Sequence, residues 1–200
     1  VDGELRLLFD HFDLIARFYD RAIGPHEATK LREQLDLPEQ GWLLDVAGGT
    51  GRVLQGLLPW PGKVVLCDYA MGMLREAQVK DVAMPTRGAA EWMPFSEGRF
   101  DRVLMVDALH HMADQPRALQ EMYRVLAPGG KLIIEEYDIR HWAIKIVAIL
   151  EKMAVMQSHF MPLAAIQETL RQAGAVVEIR MNGSAKGWIV AQKPGSNLSD

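Results

Sequence analysis

Cysteine is almost missing from this chain. Cys67 stands alone among 200 residues, so no internal disulfide can form, and a reducing compartment is the natural setting. Basic surplus is missing too: 22 Lys and Arg are set against 26 Asp and Glu, for a formal net charge of -4. The basic residues are scattered, so no cationic field exists to hold a phosphate backbone, and a nucleic-acid partner is not expected. Long apolar runs are also lacking. The most apolar stretch, residues 142–156, is interrupted by Lys145, Glu151 and Lys152 and falls short of the roughly 20 residues a spanning helix needs. The opening "VDGELRLLFD" has neither the basic nor the apolar region of a signal peptide. A cytoplasmic location without membrane insertion is the expectation. No spaced Cys or carboxylate set accompanies the histidines, so no metal site is expected.

What is present is a strong apolar pattern: 49% of residues are hydrophobic, enough for one compact domain across residues 1–200. Short apolar runs at residues 42–46, 63–68, 102–106 and 131–136 alternate with helical spacing at 51–58, 71–79 and 116–126. That alternation predicts parallel strands joined by crossover helices on both faces of a sheet. The "APGG" at residues 127–130 should stop the last of these helices. Near the end, "AVVEIRM" and "GWIVAQ" flank the turn-forming "NGSAKG", predicting an antiparallel hairpin. No repeat or linker divides the chain.

The stretch "LLDVAGGTGRVL" runs from apolar residues into Asp45, then into Gly48, Gly49, Thr50 and Gly51. A strand ending in an acid and followed by bare backbone lets a ligand approach closely at the carboxyl edge of a parallel sheet. Two nucleotide readings can be tested on the letters. The dinucleotide fingerprint needs Gly or Ala where this chain has Leu54, which disfavours an NAD-dependent oxidoreductase. A P-loop needs Lys and Ser or Thr where Arg52 and Val53 stand. The second strand ends in Asp68, where such folds place an acid that accepts hydrogen bonds from ribose hydroxyls.

Together, "LLDVAGGTG", "KVVLCDYAMGMLREA", "GAAEWMPFSEGRFDRVLMVDALHHM" and "RALQEMYRVLAPGGKLIIEEYD" occur in the order and spacing of class I S-adenosylmethionine-dependent methyltransferases. Within that superfamily the chain resembles the menaquinone and ubiquinone biosynthesis group, with its "AGGTG" turn and "FDLIARFYD"-like opening. The resemblance implies a Rossmann-like α/β fold of seven strands, mostly parallel with an antiparallel C-terminal hairpin, with an N-terminal cap over residues 1–40 and a lid insertion at about 139–161. It implies S-adenosylmethionine as cofactor, leaving as S-adenosylhomocysteine. The turn of Asp45, Ala47, Gly48, Gly49, Thr50 and Gly51 would hold the methionine part. Asp68 would take the ribose, Tyr69 one adenine face, Ala89 and Ala90 the adenine edge, and Val106 would lie under the sulfonium, with Met73 in the same set. Two positions depart from the pattern. Relatives often carry Asp or Asn where Ala89 stands, and quinone-pathway members carry Arg and Asn where His110 and His111 stand.

Methyl transfer is an in-line displacement in which positioning dominates, and an acceptor with a proton to lose is served by a histidine. His110 is the candidate base, with His111 turned elsewhere among the substrate contacts. Tyr19 would steer the methyl end. Asp107, Trp142 and Ile146 are further candidates for the acceptor's surroundings, the last two on an apolar face of the lid with Ile149, Leu150 and Met153. Cys67, at the end of a buried strand, reads as packing. The expected function is methyl transfer to a small apolar molecule of quinone, phenol or lipid type. A non-catalytic cofactor-binding module or sensor is the alternative.

Overall fold

The computed structural model describes residues 16, 20–21, 28–60, 62–138, 159–183 and 185–195. Helix α1 (Ala28–Leu35) leads into β1 (Trp42–Val46), α2 (Arg52–Leu57), β2 (Lys63–Asp68), α3 (Met71–Lys80) and β3 (Met84–Arg87). Then come β4 (Phe100–Val106), a 3₁₀ turn (Leu109–His111), α4 (Gln115–Val125), β5 (Leu126–Tyr137), α5 (Leu163–Gln172), β6 (Val176–Asn182) and β7 (Lys186–Gln192). The seven strands form one sheet in the order β3-β2-β1-β4-β5-β7-β6. Strands β1 to β5 pair in parallel, and β7 runs antiparallel to both β5 and β6. The expected fold class is therefore the observed one.

Alternation along the strands explains the two covered faces. Leu43, Leu66, Leu104 and Ile133 point to one side and pack with Leu31, Leu35, Leu54 and Leu74 from α1, α2 and α3. Their neighbours Leu44, Val65, Val103, Met105 and Ile134 point to the other, against Leu119 and Met122 of α4 and Ile166 and Leu170 of α5. Each such side chain contributes about 1.5–3 kcal/mol by leaving water. The central strands are buried on both faces, so they read as continuous apolar runs. Helix α4 starts where Asp114 caps it, its side chain accepting the Arg117 N–H at 2.9 Å, with Pro116 in the first turn. Helix α1 ends at Asp36, whose φ of 46° turns the chain, while the Arg102 guanidinium bonds the Leu35 and Asp36 carbonyls.

Two features differ from the sequence expectation. Strand β3 carries "MPTR", with Pro85 and mostly exposed side chains, and so has no apolar alternation to reveal it. Strand β5 begins five residues before the expected start at residue 131, so that "APGG", which follows the helix end as expected, lies inside the strand. Pairing jumps from Phe100↔Leu126 to Arg102↔Lys131, and Gly129, at φ 76°, takes up the extra residues while its N–H donates to Lys193 O. Proline and glycine are tolerated at such an irregularity.

The strand order sets the site. The chain winds outward from β1 to β3, then returns to β4 on the other side of β1. The crevice beyond the ends of β1 and β4 is the switch point where ligands bind in such sheets. Among the described residues, no helix is long and apolar enough to cross a membrane.

Candidate functional site

Beyond β1 the chain makes a tight turn in which Gly49 and Gly51 take φ values of 56° and 73°. Each glycine is there for a different reason. A methyl group on Gly48 would lie 2.6 Å from Asp45 Oδ2 and 2.9 Å from Leu66 Cγ, so this residue serves close packing. On Gly51 it would strike Val82 Cγ2 at 2.7 Å. On Gly49 it would meet nothing nearer than Met73 Sδ at 3.9 Å, because Gly49 faces an open cleft.

Asp68 sews this turn to the next strand. Its Oδ2 accepts the Gly49 N–H at 2.8 Å and its Oδ1 the Ala70 N–H at 2.8 Å. Asp45 lies beneath, 1% exposed, and its Oδ2 has no hydrogen-bond partner among the described residues. Burial pushes its carboxyl up to about 8, helped by the charge of Asp68 and opposed by Arg52.

The cleft encloses about 660 Å³ including its mouth, a size suited to a small molecule. Eight of the expected cofactor residues line it: Ala47 and Gly49 after β1, Asp68, Tyr69 and Met73 after β2, Ala89 and Ala90 after β3, and Val106 at the end of β4. The Arg87 guanidinium stands over the Tyr69 ring at 5.1 Å. Asp45, Gly48, Thr50 and Gly51 do not line the cleft. They form the support behind it. The Thr50 hydroxyl donates to Asp20 Oδ1 at 2.5 Å, and the Lys80 ammonium bonds both Asp20 and Thr50 O. Ala16 packs on Ala70 and Met73, so residues 16 and 20 attach to the elements that build the cofactor turn. Tyr19, Trp142 and Ile146 lie outside the described residues, as does most of the expected lid.

The two histidines, His110 expected as the base and His111 among the substrate contacts, sit in different surroundings. His111 lines the cleft, whereas His110 is 4% exposed and does not line it. A 3₁₀ turn moves successive side chains about 120° apart, so only one of two neighbours can face the ligand side. His110 Nδ1 lies 2.9 Å from both Glu136 oxygens, its N–H donates to Glu136 Oε2 at 3.3 Å, and its ring stacks on Phe160 at 4.5 Å. Burial, with His110 as the lesser cause, pushes the His111 imidazole down to about 3. That ring is neutral at physiological pH.

Asp107, expected near the acceptor, also lines the cleft. Sequence reasoning missed its partner Lys186, whose Nζ lies 2.6 Å from Asp107 Oδ2 across 79 positions of chain. It also missed Glu91, which lines the cleft and accepts the Ala113 and Asp114 N–H groups at 3.0 and 3.3 Å, tying the loop after β3 to the histidine turn. The letters carried no signal for such long-range pairs beyond an acid in an apolar loop. Among the described residues, no group of three His, Cys, Asp or Glu could hold a metal ion.

A methyltransferase domain family matches residues 44–134. Over 142 residues the chain is 34% identical to the demethylmenaquinone methyltransferase of Lactiplantibacillus plantarum, covering 62% of this chain and 60% of that one. Over 147 residues it is 34% identical to the ubiquinone/menaquinone biosynthesis C-methyltransferase of Legionella pneumophila, covering 64% and 58%. The chain thus spans less than two thirds of these relatives' lengths. In structure it resembles a SAM-dependent methyltransferase from Thermotoga maritima with a TM-score of 0.74 over 93% of this chain and 99% of that one, at 24% identity, a likeness of fold.

Proposed function

We propose that this chain, which a methyltransferase domain family matches over residues 44–134, is a class I S-adenosylmethionine-dependent methyltransferase that transfers the methyl group of this cofactor to a small, largely apolar acceptor held over the ends of β4 and β5. The observation that carries the reading is Asp68 beside the Gly49 backbone at the sheet's switch point. Each Asp68 oxygen accepts one backbone N–H, which fixes the carboxylate at the cleft wall, and a carboxylate there is an acceptor suited to ribose hydroxyls. Gly49 offers a side-chain-free approach on the cleft side, and the buried Asp45 carboxyl supports the turn from behind. These residues fit the cofactor.

When bound, the cofactor supplies an electrophilic methyl group on a positively charged sulfur. The chain's own contribution is to hold and orient. Ala89 and Ala90 form a wall without polar side chains, so the adenine edge is read by backbone groups there. Tyr69 covers one ring face, and Val106 and Met112 keep the transfer region apolar. The acceptor must sit in line behind the methyl group, where positioning supplies most of the rate. Neutral His111 serves as a hydrogen-bonding wall for the acceptor rather than as a store for its proton.

A dinucleotide is served poorly. Its pyrophosphate calls for a long helix directed at the turn, and α2 has six residues, with Leu54 wholly buried in the core where the fingerprint requires Gly or Ala. Calorimetric titration with S-adenosylhomocysteine and with NADH tests the reading. Saturable one-to-one binding of the first and none of the second is expected. Tighter binding of NADH would overturn it.

A further inference from the structure

Asp107 ends β4 in a conformation that side chains seldom adopt. Its φ is 52°, in the left-handed region, a cost of about 1–2 kcal/mol that persists where the surroundings demand it. The strain turns its carboxylate into the cleft wall. One oxygen is committed: Oδ2 lies 2.6 Å from Lys186 Nζ, which also reaches Glu135 Oε1 at 3.2 Å. Glu135 is fixed in turn by the Trp188 indole N–H at 2.6 Å. The other oxygen, Oδ1, is buried and has no hydrogen-bond partner among the described residues. A buried carboxylate oxygen without a donor is costly, and native proteins keep one where a ligand supplies the donor.

We propose that Asp107 is a specificity-determining group whose Oδ1 takes an O–H or N–H of the acceptor, so that the protein selects acceptors carrying such a donor on the atom to be methylated and rejects carboxylates. This deepens the methyl-transfer reading and rests on it. In the transfer, the oxygen or nitrogen lone pair forms the new bond to the methyl carbon as the carbon–sulfur bond breaks. The electron pair of that bond stays on sulfur, and the O–H or N–H proton passes to Asp107 Oδ1 and on to water. Lys186 holds the carboxylate in place and favours its charged form against burial.

The charges around it agree. Around Asp107 are Lys186 from β7, Glu135, Glu136 and Tyr137 from β5, and His111, which lines the same cleft. Three carboxylates against one ammonium repel an anionic acceptor. A hydrogen-bond donor meets the opposite field.

The test measures binding of p-butylphenol, p-butylaniline, p-butylanisole and p-butylbenzoate to the full chain loaded with S-adenosylhomocysteine, in the wild type and in Asp107→Asn. Asn tolerates the left-handed backbone, so the fold is kept. The phenol or the aniline should bind at least about tenfold more tightly than the anisole and the benzoate, since a hydrogen bond to a charged group is at stake. Asp107→Asn should abolish that preference while the affinity for S-adenosylhomocysteine stays within about threefold. In Lys186→Met the preference should vanish at higher pH than in the wild type, because the lysine no longer offsets the burial that raises Asp107; a purely structural role would not move that midpoint. An anisole bound as tightly as the phenol and the aniline, a preference that survives Asp107→Asn, or no binding of either donor to the loaded protein would overturn the inference. Failure of S-adenosylhomocysteine itself to bind would instead remove the premise.

Discussion

Replacing Asp68 by Ala removes two kinds of interaction at once, and they can be measured apart. The carboxylate accepts the Gly49 and Ala70 N–H groups, both at 2.8 Å, from a position only 9% exposed. Hydrogen bonds to a charged group are worth about 1.5–3 kcal/mol each, so the lower bound for the pair is about 3 kcal/mol of stability. For a chain of this size that corresponds to a fall of roughly 6–12 °C in Tm. The carboxylate is also assigned to two ribose hydroxyls, and losing those contacts at the same lower bound weakens the cofactor by about 3 kcal/mol, or more than about 100-fold in Kd. Scanning calorimetry reads the first loss and titration calorimetry with S-adenosylhomocysteine the second. Asp68→Asn keeps one carbonyl oxygen but turns an amine toward a backbone N–H, and should fall between. A variant that melts early yet binds the cofactor within about threefold of wild type would refute the ribose assignment and leave Asp68 a structural residue.

Three further outcomes follow from the geometry. Asp45 has a folded-state pKa of about 8 against 3.8 for an ordinary aspartate, so the folded protein holds this proton longer than the unfolded chain; the associated stability is full below about pH 4 and lost as pH rises through about 8. Urea unfolding should therefore find Asp45→Asn more stable than wild type at about pH 8 and equal to it near pH 4, and a constant gap would contradict the assignment. Gly48→Ala forces a methyl against Asp45 Oδ2 and Leu66 and should cost about 1–3 kcal/mol, whereas Gly49→Ala adds left-handed strain of about 1–2 kcal/mol and puts its methyl on the cleft side, so it should lose more cofactor affinity. His110→Ala takes the imidazole from buried Glu136, which keeps the backbone N–H groups of residues 110 and 137, and should destabilise by about 1–3 kcal/mol, while His111→Ala should act chiefly on acceptor handling; equal urea midpoints for His110→Ala and wild type would show the pair to be immaterial.

Much of this was legible from local pattern. Strands 42–46 and 63–68 are continuous apolar runs because both faces are covered, and their ends at Val46 and Asp68 lie where the letters put them. The glycine turn was legible because Gly49 and Gly51 take positive φ values that favour glycine, although sequence could not distinguish Gly48, packed against Asp45, from Gly49, facing the cleft. Strand β3 was hidden because an exposed edge strand with a proline has no alternation. Which of the two histidines lines the cleft was not legible, because a one-residue phase in a 3₁₀ turn decides it, and His110 meets its partner Glu136 26 positions away. Lys186 was invisible as a site residue for the same reason: a lysine near a hairpin turn has no local mark of the acid it meets on β4.

The central claim is methyl transfer from S-adenosylmethionine, and its most direct measurement uses cofactor labelled with deuterium on that methyl group. The protein is incubated with the labelled cofactor and a panel of phenols, quinols and amines, and the products are weighed by mass spectrometry. A product carrying the intact labelled methyl, formed in equal amount to S-adenosylhomocysteine and lost in Asp68→Ala, is the predicted result. Cofactor that binds but keeps its label with every acceptor would contradict the claim and leave a cofactor-binding protein without transfer.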